Sequence, residues 1–166
     1  MLAGSMAGTA YGRIRTTDGV DIVIDPTPES LERLIAEFPE DEYYVSSSAA
    51  REALQTGGMF NVIPVNGFLK IDFIIRKGTP HGSSEFARRR PLQIAGVEFD
   101  VATPEDTIIA KLAWAAAGGS ARQLEDVRGI AATQGAQLDT QYIERWVVDL
   151  GLAQLWRRAT EGLPQA

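Results

Sequence analysis

The chain has 166 residues, of which 45% are hydrophobic and 23% are charged, and its formal net charge is −6 at pH 7. This length fits one domain with a substantial core, and the acidic balance argues against a general nucleic-acid binder, because phosphate backbones attract basic surfaces. The chain has no cysteine and one histidine, which excludes disulfides and thiolate or histidine-rich metal sites. No apolar stretch approaches the roughly 18 residues of a membrane span, and no signal-peptide pattern opens the chain, so we expect a cytoplasmic protein with no membrane partner.

Small residues open the chain, and Gly4-Ser5 predicts a turn that leads into a short helix. The β-branched segment Val20–Asp25 predicts a buried strand, which Pro26 ends. Pro28 then starts an amphipathic helix, whose apolar residues recur at helical spacing. The first third of the chain therefore alternates between helix and strand.

A hairpin is the clearest local signal in the middle of the chain. Tyr43–Val45 predicts a short strand, and Ser46 caps a helix that ends before Gly57-Gly58. Asn66-Gly67 then separates two apolar segments, and it is the preferred pair for a two-residue type I′ turn. We therefore expect two antiparallel strands joined by a tight turn.

Two carboxylates lie within strands that are otherwise apolar. Asp72 lies in the second strand of the hairpin, and a buried carboxylate is costly without a partner. It therefore either faces a site or pairs with a cation such as Lys70 or Arg15. Asp21 has two interpretations as well, a metal ligand or a strand residue satisfied by backbone amides.

Helices dominate the last third of the chain. A loop at 78–82 leads to a short helix near Ser84–Arg89, and a second hairpin turns at Gly96. Thr103-Pro104 begins a long helix, on which Lys111 either reaches a phosphate or extends its ammonium to solvent. The next helix carries four charged residues at the spacing of ordinary surface ion pairs: Arg122, Glu125, Asp126 and Arg128.

These elements predict an α+β fold in a single compact domain. A sheet core is expected over residues 1–102, and a helical region over residues 103–166 packs on it.

The order of the motifs resembles that of minimal nucleotidyltransferase-like proteins of the DNA polymerase β superfamily, above all bacterial domains that include the AbiEii type of toxin. That family has Gly-Ser and a short helix, then Gly-x-x-Arg-x-Thr, then Asp-x-Asp on one strand and a third Asp on a later strand. The chain matches this pattern at Gly4, Ser5, Gly12, Arg15, Thr17, Asp21 and Asp72. The resemblance extends over roughly residues 4–135.

The resemblance implies a mixed sheet packed by helices and a Mg²⁺-dependent transfer of a nucleotidyl group from a nucleoside triphosphate to a hydroxyl. Carboxylates suit this chemistry, because two hard cations steady the attacking and leaving oxygens. Residue by residue, it implies that Gly4 and Ser5 hold phosphate and that Asp21 and Asp72 hold metal, with Asp72 also activating the hydroxyl. Phosphate binding would be assisted by Arg15 or Lys111.

One position departs from the family pattern, because the first Asp of Asp-x-Asp falls on Gly19. Asp18 is adjacent, but a shift by one residue turns a side chain to the opposite face of a strand. A bulge at Gly19 would bring Asp18 back as a metal ligand. The alternative is a catalytically degenerate nucleotide-binding, regulatory or protein-interaction module. Whether the chain is an enzyme is left open at this point.

A second departure concerns the edge of the sheet. Family members usually have a helix and a strand before Gly-Ser, whereas three residues precede it here. The sheet then lacks a strand, the start of the pattern is misassigned, or a partner chain supplies the edge. An open edge favours pairing with another chain, so we expect a homodimer or an antitoxin-like protein partner.

Overall fold

The computed structural model describes residues 1–12, 17, 19–94, 96–118 and 121–163. Its strands are β1 (Gly19–Ile24), β2 (Tyr43–Val45), β3 (Met59–Pro64), β4 (Lys70–Ile75), β5 (Arg90–Ile94) and β6 (Val97–Val101). Its α-helices are α1 (Gly4–Ala10), α2 (Pro28–Ala36), α3 (Ser47–Thr56), α4 (Pro80–Arg88), α5 (Pro104–Gly118), α6 (Ala121–Gln134), α7 (Thr140–Asp149) and α8 (Ala153–Thr160).

A mixed four-stranded sheet forms the first part of the molecule, in the order β1-β4-β3-β2. β1 runs parallel to β4, whereas β3 is antiparallel to both β4 and β2. β5 and β6 form a separate antiparallel ribbon. The predicted α+β class is confirmed.

Helices α2 and α3 cover one face of the sheet. Thr27 and Ser46 cap them by accepting hydrogen bonds from the backbone amides of Ser30 and Ala49. The core beneath them consists of Leu31, Ala50, Ala53, Phe60, Val62, Phe73 and Ile75. Because side chains alternate along a strand, the residues between these apolar positions project from the opposite face.

The C-terminal helices have a core of their own. It consists of buried residues from α5 to α8 and the preceding turn, among them Ile108, Ile109, Leu112, Val127, Ile130, Ile143 and Val147. α5 is buried along most of its length and packs against α1, α6, α7 and α8. None of the helices in the described part of the chain has the length and apolarity that a membrane crossing requires.

The first residues of the chain lie along the edge of β1. Leu2 forms an antiparallel bridge with Ile22 and a parallel bridge with Val101, so it joins the sheet to the β5–β6 ribbon. The backbone amide of Ala3 donates to the carbonyl oxygen of Asp21 at 2.9 Å. Part of the edge that we expected to be open is therefore covered by this chain itself.

The structure differs from the sequence-based expectation at two connections. β3 and β4 are joined by residues 65–69 rather than by a two-residue turn, and Gly67 does not have the positive φ that a type I′ turn needs. Pro64 pairs with Tyr43 of β2, so β3 follows β2 at this end rather than β4. In the other case, Thr79 caps α4, which therefore begins at Pro80 instead of near Ser84.

Candidate functional site

Asp21 and Asp72 are direct neighbours in the sheet. The parallel register of β1 and β4 places them opposite one another, and Asn61 of β3 lies opposite Asp72 on the other side. All three project from the face that α2 and α3 leave uncovered, since the neighbouring apolar residues pack beneath those helices. The structure therefore brings together the two carboxylates that the sequence singled out.

The Asp21 carboxylate lies at the amino end of α1. A Cβ added to Gly4 would lie only 1.9 Å from Asp21 Oδ2, and Gly4 has a φ of +57°, so both the contact and the backbone conformation favour glycine. Ala3, the cap residue of α1, makes no side-chain hydrogen bond. The carboxylate thus takes the place where the resemblance expects a phosphate, against Gly4 and Ser5.

The electrostatic setting of Asp21 favours its protonated form. Burial is the main cause that raises the pKa of Asp21, and the adjacent Asp72 carboxylate adds to the rise. The backbone amide of Ser5 and the ammonium groups of Lys111 and Lys70 act in the opposite direction. Two carboxylates face each other here, and cationic side chains of the same chain offset part of their repulsion.

Asp72 is engaged by two side chains. Lys70 Nζ lies 2.8 Å from Asp72 Oδ2, and the Asn61 side-chain amide donates to Asp72 Oδ1. Only 8% of the Asp72 side chain is exposed, compared with 46% for Lys70. The prediction that Asp72 pairs with a cation is confirmed for Lys70.

Gly19 leaves the space that Lys70 occupies. The two residues are partners in the β1–β4 register, and a Cβ added to Gly19 would lie 3.0 Å from both Lys70 Cγ and the Lys70 carbonyl oxygen. A larger residue at position 19 would therefore press against the Lys70 side chain. The residue that replaces the family's first Asp and the lysine on Asp72 are directly coupled.

Lys111 lies deeper in the molecule than either sequence-based alternative required. Its side chain is 4% exposed, and Nζ donates to Asp126 Oδ2 at 2.8 Å and to Gln123 Oε1 at 3.4 Å. The stem also runs close to Gly8 of α1. The ammonium does not extend to solvent, and the expectation that Asp126 is a surface residue is wrong, because α6 turns it toward α5.

The residues that would hold Mg²⁺ do not form a metal-binding set. Asp21 and Asp72 face one another, but among the described residues no three His, Cys, Asp or Glu side chains come together around a metal position. Asp72 is already bound by an ammonium and an amide, whereas hard divalent cations need several oxygen ligands. Asp18 and Arg15 lie outside the described residues. The sequence analysis missed Asn61, although its place in the strand pattern opposite Asp72 was readable.

A second polar cluster lies between α4, α5 and α7. Asp106 is fully buried; its carboxylate accepts hydrogen bonds from Tyr142 at 2.6 Å, Thr103 at 2.7 Å and Arg88 at 3.3 Å. Burial alone would raise the pKa of Asp106, but the neighbouring His81 and the hydroxyls of Tyr142 and Thr103 outweigh it and lower the pKa. The predicted helix start at Thr103-Pro104 thus anchors a tertiary network.

Glu85 adds a pH dependence to this cluster. Burial, with the Asp106 charge in support, raises the pKa of Glu85 from 4.5 to about 7, while His81 and Lys77 oppose the rise. The folded protein therefore holds a proton that the unfolded chain releases at lower pH, and stability falls as pH rises from about 4.5 to about 7.

We expect Glu85→Gln to raise the free energy of unfolding by about 2 kcal/mol at pH 8 and to change it little at pH 4.5. Urea unfolding at the two pH values measures the difference. Glu52→Gln, on an exposed position of α3, is the matched control. An equal effect of Glu85→Gln at both pH values would contradict the prediction.

Beyond Asn61, the site-bearing face of the sheet is open and apolar. Ile63 follows Asn61 by two residues on β3 and pairs with Tyr44 of β2, so both project from this face. Tyr44 is 65% exposed, and Ile63, Met59 and the fully exposed Phe68 extend the apolar area. We call Tyr44, Met59, Ile63 and Phe68 the open half of the site face.

Comparison with solved structures identifies the fold. The chain superposes on the crystal structure of an antigenic nucleotidyltransferase-like protein from Paracoccidioides brasiliensis with a TM-score of 0.54 and 16% sequence identity, over 99% of this chain and 85% of the other. No protein-family model matches the chain. No curated protein sequence matches it either. At this identity the likeness shows a nucleotidyltransferase-like fold.

Proposed function

We propose that this protein keeps the nucleotidyltransferase-like fold without nucleotidyl transfer and acts as a regulatory module that binds a partner protein. The observation that carries the proposal is the internal pairing of the site. Asp72 is held by Lys70 and Asn61, and Asp21 fills the space against Gly4. Metal and phosphate would have to displace these contacts, and Gly19 removes a carboxylate ligand.

The open half of the site face supports the binding role. Exposed aromatic and aliphatic side chains on a sheet surface are typical of protein interfaces, whereas scattered single ones are ordinary. Tyr44, Ile63 and Met59 are neighbours on adjacent strands rather than scattered. A toxin–antitoxin-like pair is one setting in which such a module would work.

Nucleotide binding tests the proposal. We expect equilibrium dialysis with labelled ATP, GTP, CTP and UTP, with and without Mg²⁺, to give dissociation constants weaker than about 1 mM, or less than about 4 kcal/mol of binding free energy. The same measurement on Asp72→Asn should give the same result. Asp25→Asn, a carboxylate at the far end of β1 that pairs with Arg76, is the control.

Tight Mg²⁺-dependent binding that Asp72→Asn removes and Asp25→Asn keeps would overturn the proposal. So would transfer of an α-labelled nucleotidyl group to this protein or to an added hydroxyl acceptor.

Mg²⁺-dependent nucleotidyl transfer is the second candidate. The observation that favours it is the register that sets Asp21 beside Asp72, next to the amino end of α1. In that case Gly4, Ser5, Arg15 and Lys111 would bind phosphate, and Asp21 and Asp72, with Asp18, would bind metal. The binding experiment above separates the two candidates.

A further inference from the structure

We propose that Lys70 is a built-in counter-ion that takes the place of a divalent cation between the strand carboxylates, and that Gly19 provides the room for it. The proposal deepens the proposed function of the same site. It rests on positions in the sheet and on charge.

The position of Lys70 is the first step. Lys70 begins β4 and projects from the same face as Asp72, two residues further along the strand. Its partner in the register is Gly19, the position of the missing carboxylate. The Lys70 stem lies over the Gly19 backbone, where a Cβ would be 3.0 Å from Lys70 Cγ. An Asp at position 19 would compete with the lysine for this space.

The charge of Lys70 is the second step. Two carboxylates on adjacent strands repel each other unless a positive charge lies between or beside them. Lys70 Nζ lies 2.8 Å from Asp72 Oδ2, and its ammonium is also among the charges that favour the ionised form of Asp21. A tethered ammonium acts locally without being bound from solution, and a divalent cation that approached Asp72 would have to displace it against like-charge repulsion.

The two positions therefore form one device. Loss of the carboxylate at position 19 and gain of an ammonium from position 70 change the charge of the site in the same direction. The pair converts a set of metal ligands into an internal ion pair, which keeps the carboxylates in place and closes them to Mg²⁺.

Manganese binding, followed by the electron paramagnetic resonance of free Mn²⁺, tests the proposal without nucleotide. The wild type should bind no Mn²⁺ up to about 10 mM. Lys70→Ala should bind it in the millimolar range, because Asp72 is released, and Mn²⁺ should raise the melting temperature of this variant alone. Gly19→Asp/Lys70→Ala, with one more carboxylate, should bind roughly tenfold tighter than Lys70→Ala.

Lys77→Ala removes an exposed lysine just beyond β4 and should behave as the wild type. Lys70→Met keeps the stem over Gly19 and serves as a second single variant with the same expected gain. The proposal is overturned if the wild type binds Mn²⁺ as tightly as Lys70→Ala, or if every Lys70 variant that keeps the wild-type circular dichroism spectrum binds none.

Metal binding and nucleotidyl transfer fail independently in these experiments. Nucleotidyl transfer by a wild type that binds no Mn²⁺ alone would overturn the proposed function and leave the assignment of Lys70 standing. Mn²⁺ binding by the wild type without transfer would do the reverse.

Discussion

Lys111→Met is expected to lower the free energy of unfolding by about 3–5 kcal/mol at pH 7, because it removes the ammonium that neutralises a buried carboxylate. Asp126 is 1% exposed, and Lys111 Nζ donates to it at 2.8 Å across the α5–α6 packing. Methionine keeps the apolar stem beside Gly8, so the loss reports on charge rather than on packing. Urea unfolding monitored by circular dichroism measures it.

A double variant distinguishes charge from shape. Lys111→Met/Asp126→Leu should recover most of the loss, because replacing both members of a buried ion pair by apolar residues is often close to neutral. Lys77→Met, at an exposed position, should change stability by less than about 0.5 kcal/mol. A loss below about 1 kcal/mol for Lys111→Met would show that water, rather than Lys111 alone, stabilises Asp126.

Asp106→Ala is the second substitution with a large expected effect, again a loss of about 3–5 kcal/mol. The Asp106 carboxylate accepts from Thr103, Tyr142 and Arg88, and these come from the start of α5, from α7 and from α4. Its removal leaves a half-buried guanidinium and two hydroxyls without their acceptor. Thermal unfolding at pH 7, with urea unfolding for the free energy, measures the loss.

Asp100→Ala is the matched control for this substitution. Asp100 also pairs with an arginine, Arg89, at 3.0 Å, but the Asp100 side chain is 51% exposed. Exposed pairs contribute little, so we expect a loss below about 1 kcal/mol. Equal losses for Asp100→Ala and Asp106→Ala would contradict the role given to burial. Asp106→Asn, which keeps one acceptor oxygen, should fall between the two.

Several parts of the fold are predictable from the sequence because their signals are local. Thr27, Ser46 and Thr103 cap helices where the sequence indicates a start, and Gly57 ends α3 with a positive φ of 69°. Strand alternation around Asp72 was enough to predict a carboxylate that needs a cation. Each of these inferences uses residues within a few positions of one another.

The features that the sequence did not predict depend on contacts between distant elements. Lys111 and Asp126 meet only because α5 and α6 pack with these faces together, and helical spacing alone placed Asp126 at the surface. The long β3–β4 connection follows from the pairing of Pro64 with β2. The resemblance indicated Asp21 and Gly4 as site residues, but their direct contact required the fold.

The parallel pairing of β1 with β4 also has a consequence for how the chain folds during its synthesis. β1 leaves the ribosome early, yet its partner strand begins only at Lys70, after two helices and two strands have followed it. The antiparallel pairs β2–β3 and β3–β4 close much shorter loops, and short loops cost less entropy to close. The carboxylates of Asp21 and Asp72 therefore meet late, and the Lys70 side chain is already on the growing sheet when β1 docks beside it.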